Sequence, residues 1–158
     1  MASNLDRRAL VTTIAFCEVA GIVPGYLTRD AFEGWYSSLE KPALNPPNRV
    51  FGPVWTALYF LMGLARYLVT ENGGEEADVP TGLFDLQLVL NATWTFVFFG
   101  KRSVFGGVVV IGALWIAIVA TIIAFARVSR KAALLLVPYL LWVSFATYLN
   151  VAIWRLND

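Results

Sequence analysis

The chain has 158 residues, 58% hydrophobic and 15% charged, with a formal net charge of +1. Its mean hydropathy is positive, whereas a soluble domain is nearer half apolar and a quarter charged, so this is the composition of an integral membrane protein, of a length for one domain. The small net charge offers no field for nucleic acid, the lone cysteine Cys17 excludes an internal disulfide, and the absence of histidine removes the usual zinc ligand, haem axial ligand and general base.

A helix crossing about 30 Å of hydrocarbon needs roughly 20 mostly apolar residues. Five segments meet this, and the period-2 alternation of a membrane β-barrel is absent. The first span is predicted over about residues 9–27 and carries Glu18 and Pro24. It ends in "GIVPGYLTRD", without the small-x-small pattern of a cleaved signal peptide. Cys17, Gly21 and Gly25 recur at four-residue spacing, a stripe suited to close packing within the bundle or to a dimer face. Glu18 reads best as a neutral, hydrogen-bonded carboxylic acid.

The connection that follows, residues 28–49, is long for a loop without evident secondary structure, and such loops carry function or disorder. It holds Trp35-Tyr36 and leads into "KPALNPPNRVFGPVW", with Pro42, Pro46, Pro47 and Pro53. Proline fixes φ and removes a donor, so a paired backbone cannot run through this stretch. Its unpaired groups cannot face lipid. The expectation is an ordered lid, built by Trp35, Pro42, Asn45, Pro46 and Pro47, over a pocket between helices.

The second span, about 50–69, aligns Trp55, Tyr59, Met62 and Arg66 on one face. "ENGGEEADVPTG" reads as a flexible, solvated link. The third span, about 82–99, places Gln87, Asn91 and Trp94 on one face, with Asp85 near the positive end of the helix dipole. After the tight turn "GKRS" comes the uncharged fourth span, about 104–126, with a stripe of Ala113, Ala117, Ala120 and Ala124 as a second candidate dimer face. After "RVSRK", the fifth span, about 132–153, aligns Pro138, Trp142, Ala146, Leu149 and Asn150. Three helices thus each offer a stripe of aromatics mixed with hydrogen-bonding groups, the chemistry of a small-molecule site. Trp35, Tyr67 and Trp154 also suit headgroup anchoring, and Asn91 and Asn150 also suit plain interhelical hydrogen bonds. Lysine and arginine divide evenly between the two sides: Arg7, Arg8, Arg66, Arg127, Arg130 and Lys131 against Arg29, Lys41, Arg49, Lys101, Arg102 and Arg155. The positive-inside rule therefore assigns no orientation.

The stretches "WYSSLEKPALNPPNRVFGPVWTALYFLMG", "LNATWTFVFFG" and "PYLLWVSFATYLNVAIWRLN" resemble the TspO/MBR family. The resemblance implies a compact bundle of five transmembrane helices, often a homodimer. It implies a pocket beneath the first loop for porphyrins such as protoporphyrin IX or haem, and for synthetic isoquinoline carboxamides and benzodiazepines. Carried over by motif, the pocket residues are Trp55, Asn91, Trp94, Trp142, Ala146 and Leu149, to which the stripe on span two adds Tyr59. Some bacterial members are reported to degrade porphyrin in light, which makes Trp55 and Trp142 the candidates for any chemistry. The chain departs from the family at Leu44, Arg49 and Gly106, where aromatic residues are frequent, so a less aromatic pocket mouth is expected. Val151 stands at the tyrosine place of the sterol motif, and cholesterol recognition is not expected.

The leading reading is a porphyrin- or tetrapyrrole-binding membrane protein acting as sensor, carrier or regulator in tetrapyrrole and stress metabolism. Its partners are a hydrophobic small molecule, the lipid bilayer and a second copy of itself. It requires no cofactor and has no metal site. Arg49 or Lys41 at the mouth would pair with propionates. The alternatives are light-dependent porphyrin degradation and transport of porphyrins or other hydrophobic molecules. The membrane would be the cell membrane in a prokaryote and the mitochondrial outer membrane in a eukaryote.

Overall fold

The computed structural model describes residues 6–158, and among these there is no strand. Helix α1 (Arg7–Leu27) opens on Asp6, whose carboxylate accepts from the backbone N–H groups of Arg8 and Ala9, both at 3.1 Å. The short α2 (Arg29–Ala31) runs straight into a widened, π-type turn over Phe32–Tyr36. Helix α3 spans Asn48–Gly73 and α4 spans Asp78–Thr95, and α4 is prolonged by a second π-type turn over Phe96–Gly100. Helix α5 is Val104–Val128, capped by the Ser103 hydroxyl. The short α6 (Arg130–Leu135) meets α7 (Val137–Asn157) at Leu136, with Pro138 in the first turn of α7, where its missing N–H costs nothing.

Four segments are long and apolar enough to cross a membrane: Arg7–Leu27, Asn48–Gly100, Val104–Val128 and Arg130–Asn157. The second is a helical run of 53 residues. Laid straight it would measure about 80 Å, far more than a bilayer's hydrocarbon. It doubles back instead. Gly74 takes φ 52°, a conformation that favours glycine, and a single 3-10 turn over Gly74–Ala77 reverses the chain. The pairs Arg66–Asp85, Met62–Gln87 and Tyr59–Asn91 then run in opposite senses along α3 and α4, as antiparallel neighbours must. The region expected as a flexible solvated link is therefore helical on both sides of one tight turn, with Ala77 and Pro80 buried. Asp85, expected near the helix start, lies about two turns inside α4. It takes the guanidinium of Arg66 in a fork of two 3.0 Å hydrogen bonds.

The core runs between these helices. Met62, Phe84, Phe125 and Val143 are fully buried, and the rings of Phe84 and Phe125 stack 5.9 Å apart. Helix α1 is the least enclosed: 11% of its apolar window is buried, against 28–33% in the other three segments. What it does bury is its small-residue stripe. Cys17 is fully buried, and a Cβ on Gly21 would run into the ring of Tyr59 on α3. That stripe thus serves packing inside the protomer. Ala117 in the α5 stripe is buried likewise, and only Gly25 and Ala113 of the two stripes face outward.

Candidate ligand-binding site

A cavity of about 300 Å³ lies at the loop end of the bundle. This is the lower end of the range for small-molecule sites. The three aromatic stripes largely converge there: Trp55 and Tyr59 from α3, Asn91 and Trp94 from α4, and Trp142, Ala146, Leu149 and Asn150 from α7 all line it. The stripes leave the wall towards the bundle centre. Met62 and Gln87 sit below it, Arg66 pairs with Asp85, and Pro138 is exposed at the start of α7.

Beneath the wall a chain of side-chain hydrogen bonds ties three helices together. The Tyr59 hydroxyl donates to Asn91 Oδ1 at 2.7 Å, Asn91 Nδ2 donates to the Tyr139 oxygen at 2.8 Å, and the Tyr139 hydroxyl donates to Gln87 Oε1 at 2.7 Å. Higher up, the Trp94 indole N–H donates to Asn150 Oδ1 at 2.9 Å, and Asn150 Nδ2 donates to the Val104 carbonyl at 3.0 Å. In an apolar surrounding, polar groups are placed this way because leaving one unmet costs about 1–3 kcal/mol. The consequence for the site is that Tyr59, Asn91, Trp94 and Asn150 present a wall whose polar atoms are already engaged. The Trp142 indole N–H is buried and has no partner.

The aromatic surface is larger than the stripes alone supply. Trp55 stacks on Tyr59 at 5.5 Å and meets Tyr139 edge-on at 6.2 Å. Trp94 stacks on Phe98 at 5.3 Å, and Trp142 meets Phe51 edge-on at 6.1 Å. Phe32, Tyr36, Phe51, Phe98 and Phe99 also line the cavity. None of Leu44, Arg49 and Gly106 is in the wall.

The roof of the cavity comes from the first connection. Trp35, Pro42, Asn45, Pro46 and Pro47 do not line the cavity; Phe32 and Tyr36 do. The π-type turn sets these two rings parallel, 5.2 Å apart, and both bite edge-on into Phe99, at 5.6 and 5.5 Å. Trp35 packs edge-on against Phe98 outside the wall. The proline segment braces this roof from behind. The buried Tyr36 donates its hydroxyl to Asn45 Oδ1 at 3.1 Å, and the Asn45 N–H closes a turn on the Pro42 carbonyl at 3.0 Å. Pro47, extended at φ −58° and ψ 146°, launches α3. Lys41 sits 4.8 Å from the Tyr36 ring centroid and donates to the Leu39 carbonyl at 3.1 Å. Burial pushes the Tyr36 phenol up from its ordinary value.

The exposed members of the wall are Ile22, Gly25, Arg29, Gly52 and Thr56. All belong to the end of α1, the start of α2 or the start of α3, so the cavity is open on that side. Arg29 is the one charged residue in the wall. Lys41 and Arg49, the cations expected at the mouth, are not part of it. The described residues bring together no group of three or more cysteine, aspartate or glutamate side chains able to hold a metal ion.

The TspO/MBR family matches residues 13–155. The chain is 47% identical to a "Tryptophan-rich protein TspO" of Chlorobaculum tepidum over 98% of its own length and 99% of the relative's. It is 47% identical to the human "Translocator protein", covering 78% of this chain and 75% of that one. It is 37% identical to a "Tryptophan-rich sensory protein" of Cereibacter sphaeroides, covering 98% and 94%. By the extent of these matches the chain belongs to the TspO/MBR family of membrane proteins.

Proposed function

We propose that this protein crosses the membrane five times, with α1, α3, α4, α5 and the α6–α7 pair as its spans, and binds a flat aromatic ligand of the porphyrin class in the cavity at the loop end. The observation that carries the reading is the wall itself. Its buried hydrogen-bonding side chains Tyr59, Asn91, Trp94 and Asn150 are engaged within the protein, and its rings offer stacking surfaces to a flat ligand. A cavity of about 300 Å³ with one open side suits a macrocycle that enters edge-first and keeps its far edge at the mouth. With no histidine in the chain, metal-free porphyrin such as protoporphyrin IX, or haem held without histidine, is the consistent ligand.

The role is that of a sensor, carrier or regulator in tetrapyrrole and stress metabolism. The name of the relative from Cereibacter sphaeroides, "Tryptophan-rich sensory protein", supports this sense. The working form is a homodimer, in the cell membrane of a prokaryote or the mitochondrial outer membrane of a eukaryote. A light-dependent enzyme is the second reading, favoured by Trp55 and Trp142 both lying in the wall. The test is a titration of purified protein with protoporphyrin IX, followed by tryptophan quenching in darkness and then by porphyrin absorbance under illumination. Saturable quenching at micromolar or lower concentration supports the binding reading. Absence of saturation removes it.

A further inference from the structure

We infer that Arg29 anchors an anionic edge of the bound ligand, so that the cavity selects flat apolar molecules carrying a carboxylate at one end. The inference rests on the porphyrin reading above and adds to it the ligand's orientation: acid group outward at the mouth, ring inward. Arg29 is the single charged residue in the wall, and it stands on the open side. Its guanidinium is held in place. The central carbon lies 4.0 Å from the Tyr26 ring centroid, and Nη1 donates to the Tyr26 carbonyl at 2.9 Å. A guanidinium has five N–H donors, so most of the planar fork that fits a carboxylate stays free.

The charge is also unanswered among the described residues. The one ion pair among the described residues joins Arg66 to Asp85, and the nearby Asp30 and Glu33 do not pair with Arg29. An unpaired, pre-positioned cation on the rim of an apolar cavity favours a ligand with the opposite charge at that spot. The other cations near the loop are less suited. Lys41 spends its ammonium on the Ser37 and Leu39 carbonyls, and Arg49 is exposed outside the wall. The bond to Tyr26 also caps the end of α1, so a purely structural role for Arg29 must be separated from ligand recognition.

The experiment compares protoporphyrin IX with its dimethyl ester, which keeps the ring and loses both charges. Each is titrated in darkness into wild type, Arg29→Gln, Arg29→Lys, Lys41→Gln and Arg49→Gln, in uncharged detergent, with thermal melting of each variant alongside. Wild type is expected to bind the diacid about tenfold more tightly than the ester, with added salt eroding only the diacid. Arg29→Gln should bring the diacid down to the ester's level and leave the ester unchanged, Arg29→Lys should recover part of the preference, and the Lys41 and Arg49 variants should match wild type. Equal binding of diacid and ester by wild type overturns the anchor while leaving the porphyrin reading intact. So does a preference that survives in Arg29→Gln. Equal weakening of both ligands with a lowered melting temperature assigns Arg29 to the fold and overturns it too. Quenching by neither ligand overturns the porphyrin reading, and the anchor with it.

Discussion

The side-chain amide of Asn157 brackets the backbone of Glu40. Its Oδ1 accepts from the Glu40 N–H at 3.0 Å, and its Nδ2 donates to the Glu40 carbonyl at 2.8 Å. The same Nδ2 donates to the Ile153 carbonyl, one turn back on α7. An amide side chain at the end of the last helix thus does what a neighbouring strand would do for an otherwise unpaired loop. It fixes the middle of the first connection to the end of α7, between the roof rings and the proline segment.

Asn157→Ala should release that latch without disturbing the bundle. Two hydrogen bonds at about 0.5–1.5 kcal/mol each predict roughly a tenfold faster loss of ligand and faster amide exchange in the loop. Hydrogen exchange by mass spectrometry reads the second effect directly. Protection of the loop unchanged from wild type would show that the prolines alone hold it.

Tyr36 gives the roof a pH limit. Its phenol is buried, donates to Asn45, and is raised from an ordinary value of 10.0. A group whose folded pKa lies above its unfolded value contributes stability that is complete below the unfolded pKa and is lost as pH rises through the folded one. The roof should therefore loosen only above about pH 10. Tyr36→Phe should remove that alkaline step, because no ionisable phenol remains while the stacking on Phe32 is kept. Limited proteolysis of the loop across pH 8 to 11 checks it, and an identical alkaline step in Tyr36→Phe would assign it to another group.

Gly21→Leu should weaken the protomer rather than a dimer. A Cβ at that position already collides with the Tyr59 ring, which is pinned by its hydroxyl on Asn91 and by Trp55 stacked on its face. Overpacking of this kind costs about 1–3 kcal/mol. The melting temperature should fall and ligand affinity should fall with it. Gly112→Leu, on α5 outside the wall and with nothing within 4 Å of its Cβ, serves as the control for helix propensity. Normal melting of the Gly21 variant together with a shift from dimer to monomer would return that stripe to the interface.

Much of the site was legible because helix periodicity is a strong signal. Trp55 with Tyr59, Asn91 with Trp94, and Trp142 with Ala146 and Leu149 stand at helical spacings, and they meet in one wall. Tyr139 was equally within reach, one turn before Trp142 on the same face, yet its role depends on Gln87 and Asn91 of another helix, which no spacing within α7 encodes. The residues lining the roof were not legible, for a different reason. Prolines announce rigidity loudly, whereas Phe32 and Tyr36 reach the cavity only because a π-type turn adds a residue to the helical ring, and that has no composition of its own. Glycines at four-residue spacing likewise mark close packing without saying against what. The link after α3 looked flexible from its glycines and acids, but Gly74 supplies a tight reversal rather than slack.

Trp55 and Trp142 separate the binding reading from the enzymatic one. Both are in the wall, but their indoles are not equivalent: Trp142 has the buried N–H without a partner, while Trp55 acts through its stacked face on Tyr59. Trp55→Phe keeps a ring face and most of the buried area, so dark affinity should change by less than about threefold. Trp142→Phe removes the donor as well, and should weaken binding by about 0.5–1.5 kcal/mol if the ligand accepts from it. Alanine at either position should cost roughly 1–3 kcal/mol through lost contact. Illumination at equal occupancy then tests the chemistry. The wall holds no carboxylate, histidine or cysteine, and the hydroxyls of Tyr36 and Tyr59 are committed to Asn45 and Asn91. The wall therefore supplies no carboxylate, imidazole or thiol as a general acid or base. Wild type and both phenylalanine variants are expected to bleach protoporphyrin IX at the rate of a protein-free detergent control. Faster bleaching by wild type that is lost in either variant would establish the enzymatic reading and give the indoles a chemical part.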